Sequence, residues 1–237
     1  MAKELRARLI NRIKRSQGVE SFRFLPQEKR DFLPGQFLEV IFDERTRENK
    51  DLNKYLSMSC SPTKEYIEVT KKLSDSKFSQ RLKNLKIGDE VLLKLPMGSC
   101  VFKDEYKKIG FLIGGIGITP VISIIEYIID KKLDTDVYLF YSNRTDEEIA
   151  FKKELDEWRA LNKNIKVFYT VTECEPKDKT CLFGFIDKRL LKEKACDITE
   201  RVLFVYGPPQ MVETMCNLSL DLECKKENIK TERFIGY

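Results

Sequence analysis

The chain contains no histidine. That absence removes the Ser-His-Asp triad, every imidazole base and every histidine metal ligand. Catalysis must then rest on carboxylates, hydroxyls, thiols or a bound cofactor that carries the chemistry. No Cys-x-x-Cys pair occurs either, so no zinc or iron–sulfur site is expected. The seven cysteines are odd in number and irregularly spaced. They read as mostly buried free thiols of a reducing compartment, which points to a cytoplasmic location. No apolar stretch opens the chain. Met1 to Arg15 alternates Leu5, Ala7 and Leu9 with Arg6 and Arg8, a strand pattern and not a signal peptide. Ile109 to Ile125 lacks charge, but it is short for a membrane span, holds four glycines and a proline, and ends at Glu126. A buried strand turning into a buried helix is expected there, with no membrane span.

What is present is an ordinary globular balance, with 43 basic against 38 acidic residues. The resulting +5 describes a solvated surface or a patch that steers an acidic partner. No nucleic-acid partner is expected. A length of 237 residues suggests two domains. Up to about residue 103, short apolar stretches at Glu20 to Leu25, Phe37 to Phe42, Tyr66 to Thr70 and Val91 to Leu95 are separated by turn signals such as Leu33-Pro34-Gly35 and Ile87-Gly88-Asp89. They predict a small antiparallel barrel, interrupted by a helix at Lys77 to Asn84. Beyond Asp104 to Lys108 the pattern becomes strand–helix alternation, with strands at Ile109 to Ile113, Val137 to Tyr141, Ile165 to Thr170 and Arg201 to Tyr206. This predicts a Rossmann-like parallel sheet with helices on both faces. Thr145-Asp146-Glu147-Glu148 has the spacing of a capping box, and Phe151, Leu155 and Trp158 would share a helix face.

Gly114-Gly115-Ile116-Gly117-Ile118-Thr119-Pro120 lies where the first of these later strands gives way to a helix. Glycines there let the backbone approach a pyrophosphate, and the helix start supplies amides. Pro120 stands where a dinucleotide fingerprint has its third glycine, a position a first helical turn tolerates. The acid that would read a ribose is missing after the next strand, where Ser142-Asn143-Arg144 stands instead. A hydroxyl and a guanidinium tilt the cofactor toward NADPH, with NADH left open.

Together with Pro34-Gly35-Gln36-Phe37, this loop resembles the ferredoxin–NADP reductase family, and the resemblance runs the length of the chain. It implies an FAD- or FMN-binding β-barrel over residues 1–104 and an NAD(P)-binding α/β domain over 105–237. The family's Arg-x-Tyr-Ser signature is matched by Lys54-Tyr55-Leu56-Ser57. The resemblance implies that Ser57 meets the flavin N5, that Lys54 holds a phosphate without the arginine fork, and that Leu56 replaces a ring-contacting aromatic. Tyr55 lies on the opposite side of the strand from Leu56. Thr70, Lys71, Ser76 and Ser79 fall where relatives hold the ribityl chain and pyrophosphate, with Ser76 replacing the usual glycine. Tyr206-Gly207-Pro208-Pro209-Gln210-Met211 resembles the Cys-Gly-x-Pro-x-Met turn near the nicotinamide, with Tyr206 in place of cysteine. Glu232 resembles a terminal acid that polarises or relays a proton, and Phe234 or Tyr237 an aromatic that covers the ring.

The expected reaction passes a hydride from NAD(P)H to the flavin, then single electrons to a separate acidic carrier such as a ferredoxin or flavodoxin. Ser57, Glu232 and Tyr206 are the catalytic candidates. The cofactor-binding candidates are the other residues just named, together with Gly114, Gly115, Gly117, Thr119, Ser142, Arg144, Gly207, Pro208 and Met211. Two alternatives stay open. One is an electron-transfer or reductase subunit of a larger complex, although the chain ends at Tyr237 without the terminal cysteine cluster of the dihydroorotate dehydrogenase subunits. The other is a nucleotide-binding module whose flavin site has decayed, which Lys54, Leu56 and Tyr206 keep alive.

Overall fold

The computed structural model describes residues 2–28 and 31–234. The first sheet contains β1 (Lys3–Ser16), β2 (Val19–Pro26), β3 (Phe37–Ile41), β4 (Asn53–Ser57), β5 (Ile67–Lys72) and β6 (Glu90–Met97). All pairings are antiparallel, in the order β4-β3-β6-β1-β2-β5. A bridge between Met58 and Val69 joins the two outer strands and closes the expected six-stranded barrel. Alternation drives it: Leu5, Ala7 and Leu9 of β1 point into a core shared with Phe22, Phe24, Leu38, Val40 and Leu93. Helix α1 (Lys77–Asn84) adds Phe78 and Leu82, one turn apart and fully buried. Each such side chain contributes about 1.5–3 kcal/mol of burial.

The second sheet is parallel throughout. It holds β7 (Lys108–Gly114), β8 (Asp136–Asn143), β9 (Ile165–Val171), β10 (Cys181–Phe183), β11 (Val202–Gly207) and β12 (Ile229–Arg233), in the order β10-β9-β8-β7-β11-β12. The chain therefore walks outward from β7 in one direction and then restarts beside β7 with β11. With right-handed crossovers, α3 (Lys152–Leu161) and α5 (Pro209–Asp221) fall on opposite faces. Leu203 and Val205 pack with Val212 and Met215 of α5 and with Leu191 of α4 (Lys188–Lys194). Phe204 faces the other way and stacks on Phe111 at 5.3 Å.

Arg201, fully buried, fixes the amino ends of these strands. Its guanidinium donates to the carbonyls of Ile109 and Asp136 at 3.1 Å and to both carboxylate oxygens of Asp197, and lies 3.8 Å from the Tyr138 ring.

The chain divides into two compact units, one of residues 1–102 with 119–130, the other of 103–118 with 131–237. Most of α2 (Ile118–Asp130) thus belongs with the barrel.

Two local expectations change. Thr145 makes no side-chain cap, because Asp146–Glu148 forms a single 3-10 turn and extended backbone follows it. The helix starts only at Lys152, after Phe151 in the left-handed region at φ 59°. Of the thiols, Cys60, Cys181 and Cys224 are buried while Cys174 and Cys196 are exposed, so "mostly buried" holds only in part.

Candidate functional site

In the barrel unit, pairing register decides which side chains of β4 face outward. Leu56 pairs with Leu38 and Lys54 with Val40, both core positions, whereas Tyr55 pairs with Glu39 and Ser57 with Phe37. Tyr55 and Ser57 therefore share the outer face with Phe37, whose ring meets the Tyr55 ring edge-on at 5.8 Å. Leu56 is only 7% exposed and sits in the core, whereas Tyr55 is 63% exposed. An aromatic surface beside a hydroxyl is thus supplied by Tyr55, Phe37 and Ser57, with Leu56 behind it.

Lys71, buried on β5, has its pKa lowered by desolvation and by the nearby charge of Lys54. Two neighbouring cations, one of them buried, fit a phosphate, since an anion bound there relieves their repulsion. At the start of α1, Ser76 caps the helix by accepting the Ser79 N–H. Its φ of −63° is open to any residue, so the glycine usual at this place is not needed. The Ser79 hydroxyl lies 3.1 Å from that of Ser76 and 3.2 Å from that of Ser74, a cluster of hydroxyls at the helix start. Thr70 is buried and engaged, 2.6 Å from Ser21 Oγ and 2.7 Å from Ser59 Oγ.

In the second unit the nucleotide candidates gather at the carboxyl ends of β7 and β11, where the strand order reverses. That is where open α/β sheets bind ligands. Gly115 has φ +51° and open space where a Cβ would stand. Gly117 is tight: a Cβ there would lie 2.6 Å from the Tyr206 carbonyl oxygen and 3.0 Å from the Gly207 nitrogen. Ser142 sits beside Gly114 in register, and Met211 and Pro208 pack over Gly114. A nucleotide pyrophosphate would have room at Gly115, where this loop runs into a helix start. Thr119 is buried in the first turn of α2.

Glu232 pairs with Tyr206 across β11 and β12, and the Phe234 N–H donates to the Gly207 carbonyl at 3.0 Å. Tyr206 is fully buried, 5.9 Å from the Phe204 ring, so its phenol belongs to the sheet interior. Glu232 Oε2 is buried with no hydrogen-bond partner, and burial pushes the carboxyl up to about 7. Tyr237 lies outside the described residues.

Glu232 carries a prediction. Below its ordinary pKa of 4.5 the carboxyl is protonated folded or unfolded and changes nothing. Between 4.5 and about 7 the folded state holds the proton more tightly, so rising pH destabilises the fold, and above 7 the penalty is complete. Glu232→Gln should therefore be about 3 kcal/mol more stable than the native protein at pH 8 and indistinguishable from it at pH 4. Urea unfolding at both pH values measures this. Equal stability at pH 8 would remove the buried-carboxylate account.

Arg144 stands apart from this cluster. Its guanidinium lies 3.0 Å from Glu148 and 3.7 Å from Glu173, at the ends of β8 and β9. Two residues passed over in the sequence join the picture. Thr170, next to Ser142, is buried with an unpartnered hydroxyl. Glu68 on β5 is clamped by Arg15 at 2.9 Å and Arg23 at 2.6 Å and accepts from Ser59. A threonine at a strand end and charges within a strand carry no signal of their own. Among the described residues there is no cluster of metal-ligating side chains, and no helix is long and apolar enough to cross a membrane.

Comparison with known proteins identifies both domains. Residues 6–102 match the oxidoreductase FAD-binding domain and residues 111–217 the oxidoreductase NAD-binding domain. NADH-cytochrome b5 reductase 1 of Dictyostelium discoideum is 30% identical over 181 residues, covering 75% of this chain and 63% of that protein. Nitrate reductase [NADH] 1 of Nicotiana tabacum is 28% identical over 243 residues, 90% of this chain but only 26% of the relative. The chain thus spans less than two thirds of the length of these relatives. Among solved structures, the flavohem-like FAD/NAD-binding domain of nitric oxide dioxygenase from Vibrio cholerae superposes with a TM-score of 0.83 at 21% identity, covering 97% of this chain and 98% of that one. A ferredoxin NADP+ reductase from Neisseria gonorrhoeae with bound FAD and NADP gives 0.78 at 21%, covering 98% of each chain. With a closed six-stranded barrel, a glycine loop at a parallel-sheet switch point and both domain families in order, the chain belongs to the ferredoxin–NADP reductase family, with an FAD-binding domain followed by an NAD-binding domain.

Proposed function

We propose that the protein is an NADH-dependent flavoprotein that passes single electrons to a separate carrier protein, a ferredoxin, flavodoxin or b-type cytochrome. FAD, when bound, supplies the conversion of a two-electron hydride into two one-electron steps. The observation that carries this reading is the glycine loop at the carboxyl end of β7, with open space at Gly115 and with Gly117 packed on the β11 backbone at the start of α2. Gly115 leaves room for the pyrophosphate, Gly117 lets the loop pack on β11, and Ser142 offers a hydroxyl beside Gly114. On the barrel, Lys54, Lys71 and the Ser76–Ser79 turn hold the flavin phosphates, while Tyr55 and Ser57 meet the ring. Glu232, whose carboxyl burial pushes up to about 7, can take up or give a proton near neutral pH and is assigned to the reacting end. The excess of basic residues suits an acidic carrier.

The guanidinium that favoured NADPH now favours NADH. Arg144 is flanked by Glu148 and Glu173, so the trio carries a net charge of −1 and a 2′-phosphate would meet two carboxylates. Several relatives are themselves named as NADH enzymes. The KM for NADH should lie about tenfold or more below that for NADPH, and Glu148→Gln with Glu173→Gln should narrow the gap. Steady-state assays with both nucleotides decide this. Equal or better use of NADPH would reject the NADH reading. Carrier choice is tested by mixing anaerobically reduced protein with each carrier. Transfer to none of the three, with reaction only toward oxygen or quinone, would reject a carrier protein as acceptor.

A further inference from the structure

The turn after β4 grips helix α2. Lys64 N–H closes the turn onto the Ser61 carbonyl at 3.1 Å, with Pro62 inside it. Ser61 N–H donates to Glu126 Oε2 at 2.7 Å, and Thr63 Oγ donates to Asp130. Lys64 Nζ sits between the two acids, 3.3 Å from Glu126 Oε1 and 2.9 Å from Asp130 Oδ2. Glu126 and Asp130 are one helical turn apart, so one short turn reaches both. All three charged side chains are less than 30% exposed, which makes the contact stronger than an open surface pair. Apolar contacts extend the grip: the Phe102 ring meets Tyr127 at 6.3 Å, and Gly35, which bears no side chain, leaves room for Ile124. Residues 119–130 fall with the barrel, although the strands on either side of α2 do not.

We propose that Thr63 and Lys64 are positioning residues for hydride transfer, acting through Glu126 and Asp130 to hold α2, and with it Thr119, to the barrel. The inference rests on the proposed flavin and nucleotide sites. Helix α2 is a stiff rod about 20 Å long, so a shift at its carboxyl end reaches the turn that carries Thr119. Hydride transfer is steep in distance: about 1 Å of misplacement can slow it by about two orders of magnitude. Oxidation of reduced flavin by a small one-electron acceptor has no such requirement.

The test separates the two half-reactions. Holoprotein is reduced anaerobically with NADH in a stopped-flow instrument, and dithionite-reduced holoprotein is reoxidised with ferricyanide. Lys64→Glu, which faces Glu126 and Asp130 with a third carboxylate, should slow reduction about tenfold and leave reoxidation and flavin content unchanged. Lys64→Glu combined with Asp130→Lys should recover most of the lost rate. Reduction at the native rate, or reduction and reoxidation slowed equally, or no recovery in the double variant, would overturn the proposal. Should Lys64→Glu fail to fold, Asp130→Asn carries the same reading, with about threefold slower reduction expected and an unchanged rate overturning it. Native holoprotein that NADH cannot reduce would fail the functional reading itself, which the native control identifies separately.

Discussion

Gly117→Val is expected to abolish reduction of the bound flavin by NADH, with the rate falling about a hundredfold or more. The cause is steric. A Cβ at this position would stand 2.6 Å from the Tyr206 carbonyl oxygen and 3.0 Å from the Gly207 nitrogen, and both are backbone atoms at the end of a buried strand. Neither can swing aside as a flexible side chain would. The loop must lift from β11, and the opening that admits a pyrophosphate is deformed. The barrel, whose core is separate, should keep its flavin. Anaerobic titration with NADH checks both halves. A variant that keeps its flavin and is still bleached at the native rate would contradict the assigned nucleotide site.

Glu68→Ala is expected to destabilise the protein by about 3–5 kcal/mol, the usual consequence of breaking a buried ion pair from one side. Arg15, with a side chain 6% exposed, would lose its carboxylate partner. Arg23 would keep its stacking on Tyr66 at 4.4 Å but lose its ion pair. Ser59, which donates to Glu68 and touches Thr70, would be released as well, so flavin affinity should fall along with stability. Urea unfolding gives the first number and flavin titration the second. A loss below about 1 kcal/mol would mean that solvent reaches the triad more freely than its burial indicates.

Much of this fold was legible in the chain. Alternation at Leu5, Ala7 and Leu9 announced β1, and the helix at Lys77–Asn84 has the bounds expected of it. The glycine loop after β7 was legible because close approach leaves few other residues possible. What escaped depends on long-range pairing. Leu56 turns inward because β3 and β4 pair it with Leu38, which no local pattern near Lys54-Tyr55-Leu56-Ser57 reveals. Arg144 looked available for a phosphate until the fold brought Glu173 up from another strand. Glu126 and Asp130 read as the polar end of an apolar helix, and only the turn at Ser61–Lys64 gives them partners. The Thr145 capping box failed because the chain needs an extended step and a left-handed Phe151 before α3 can begin. Strand β10 is three residues long at a sheet edge, too short to leave a periodic signal.

The central claim is that this chain binds a flavin that NADH reduces. The direct measurement is the visible absorption spectrum of the purified protein supplied with FAD, recorded anaerobically before and after NADH is added. A bound flavin spectrum is expected that bleaches on adding NADH and bleaches more slowly with NADPH at the same concentration. A protein that takes up no flavin would contradict the claim and leave a nucleotide-binding module with a decayed flavin site; one that holds a flavin that neither nucleotide bleaches would contradict it at the nucleotide site.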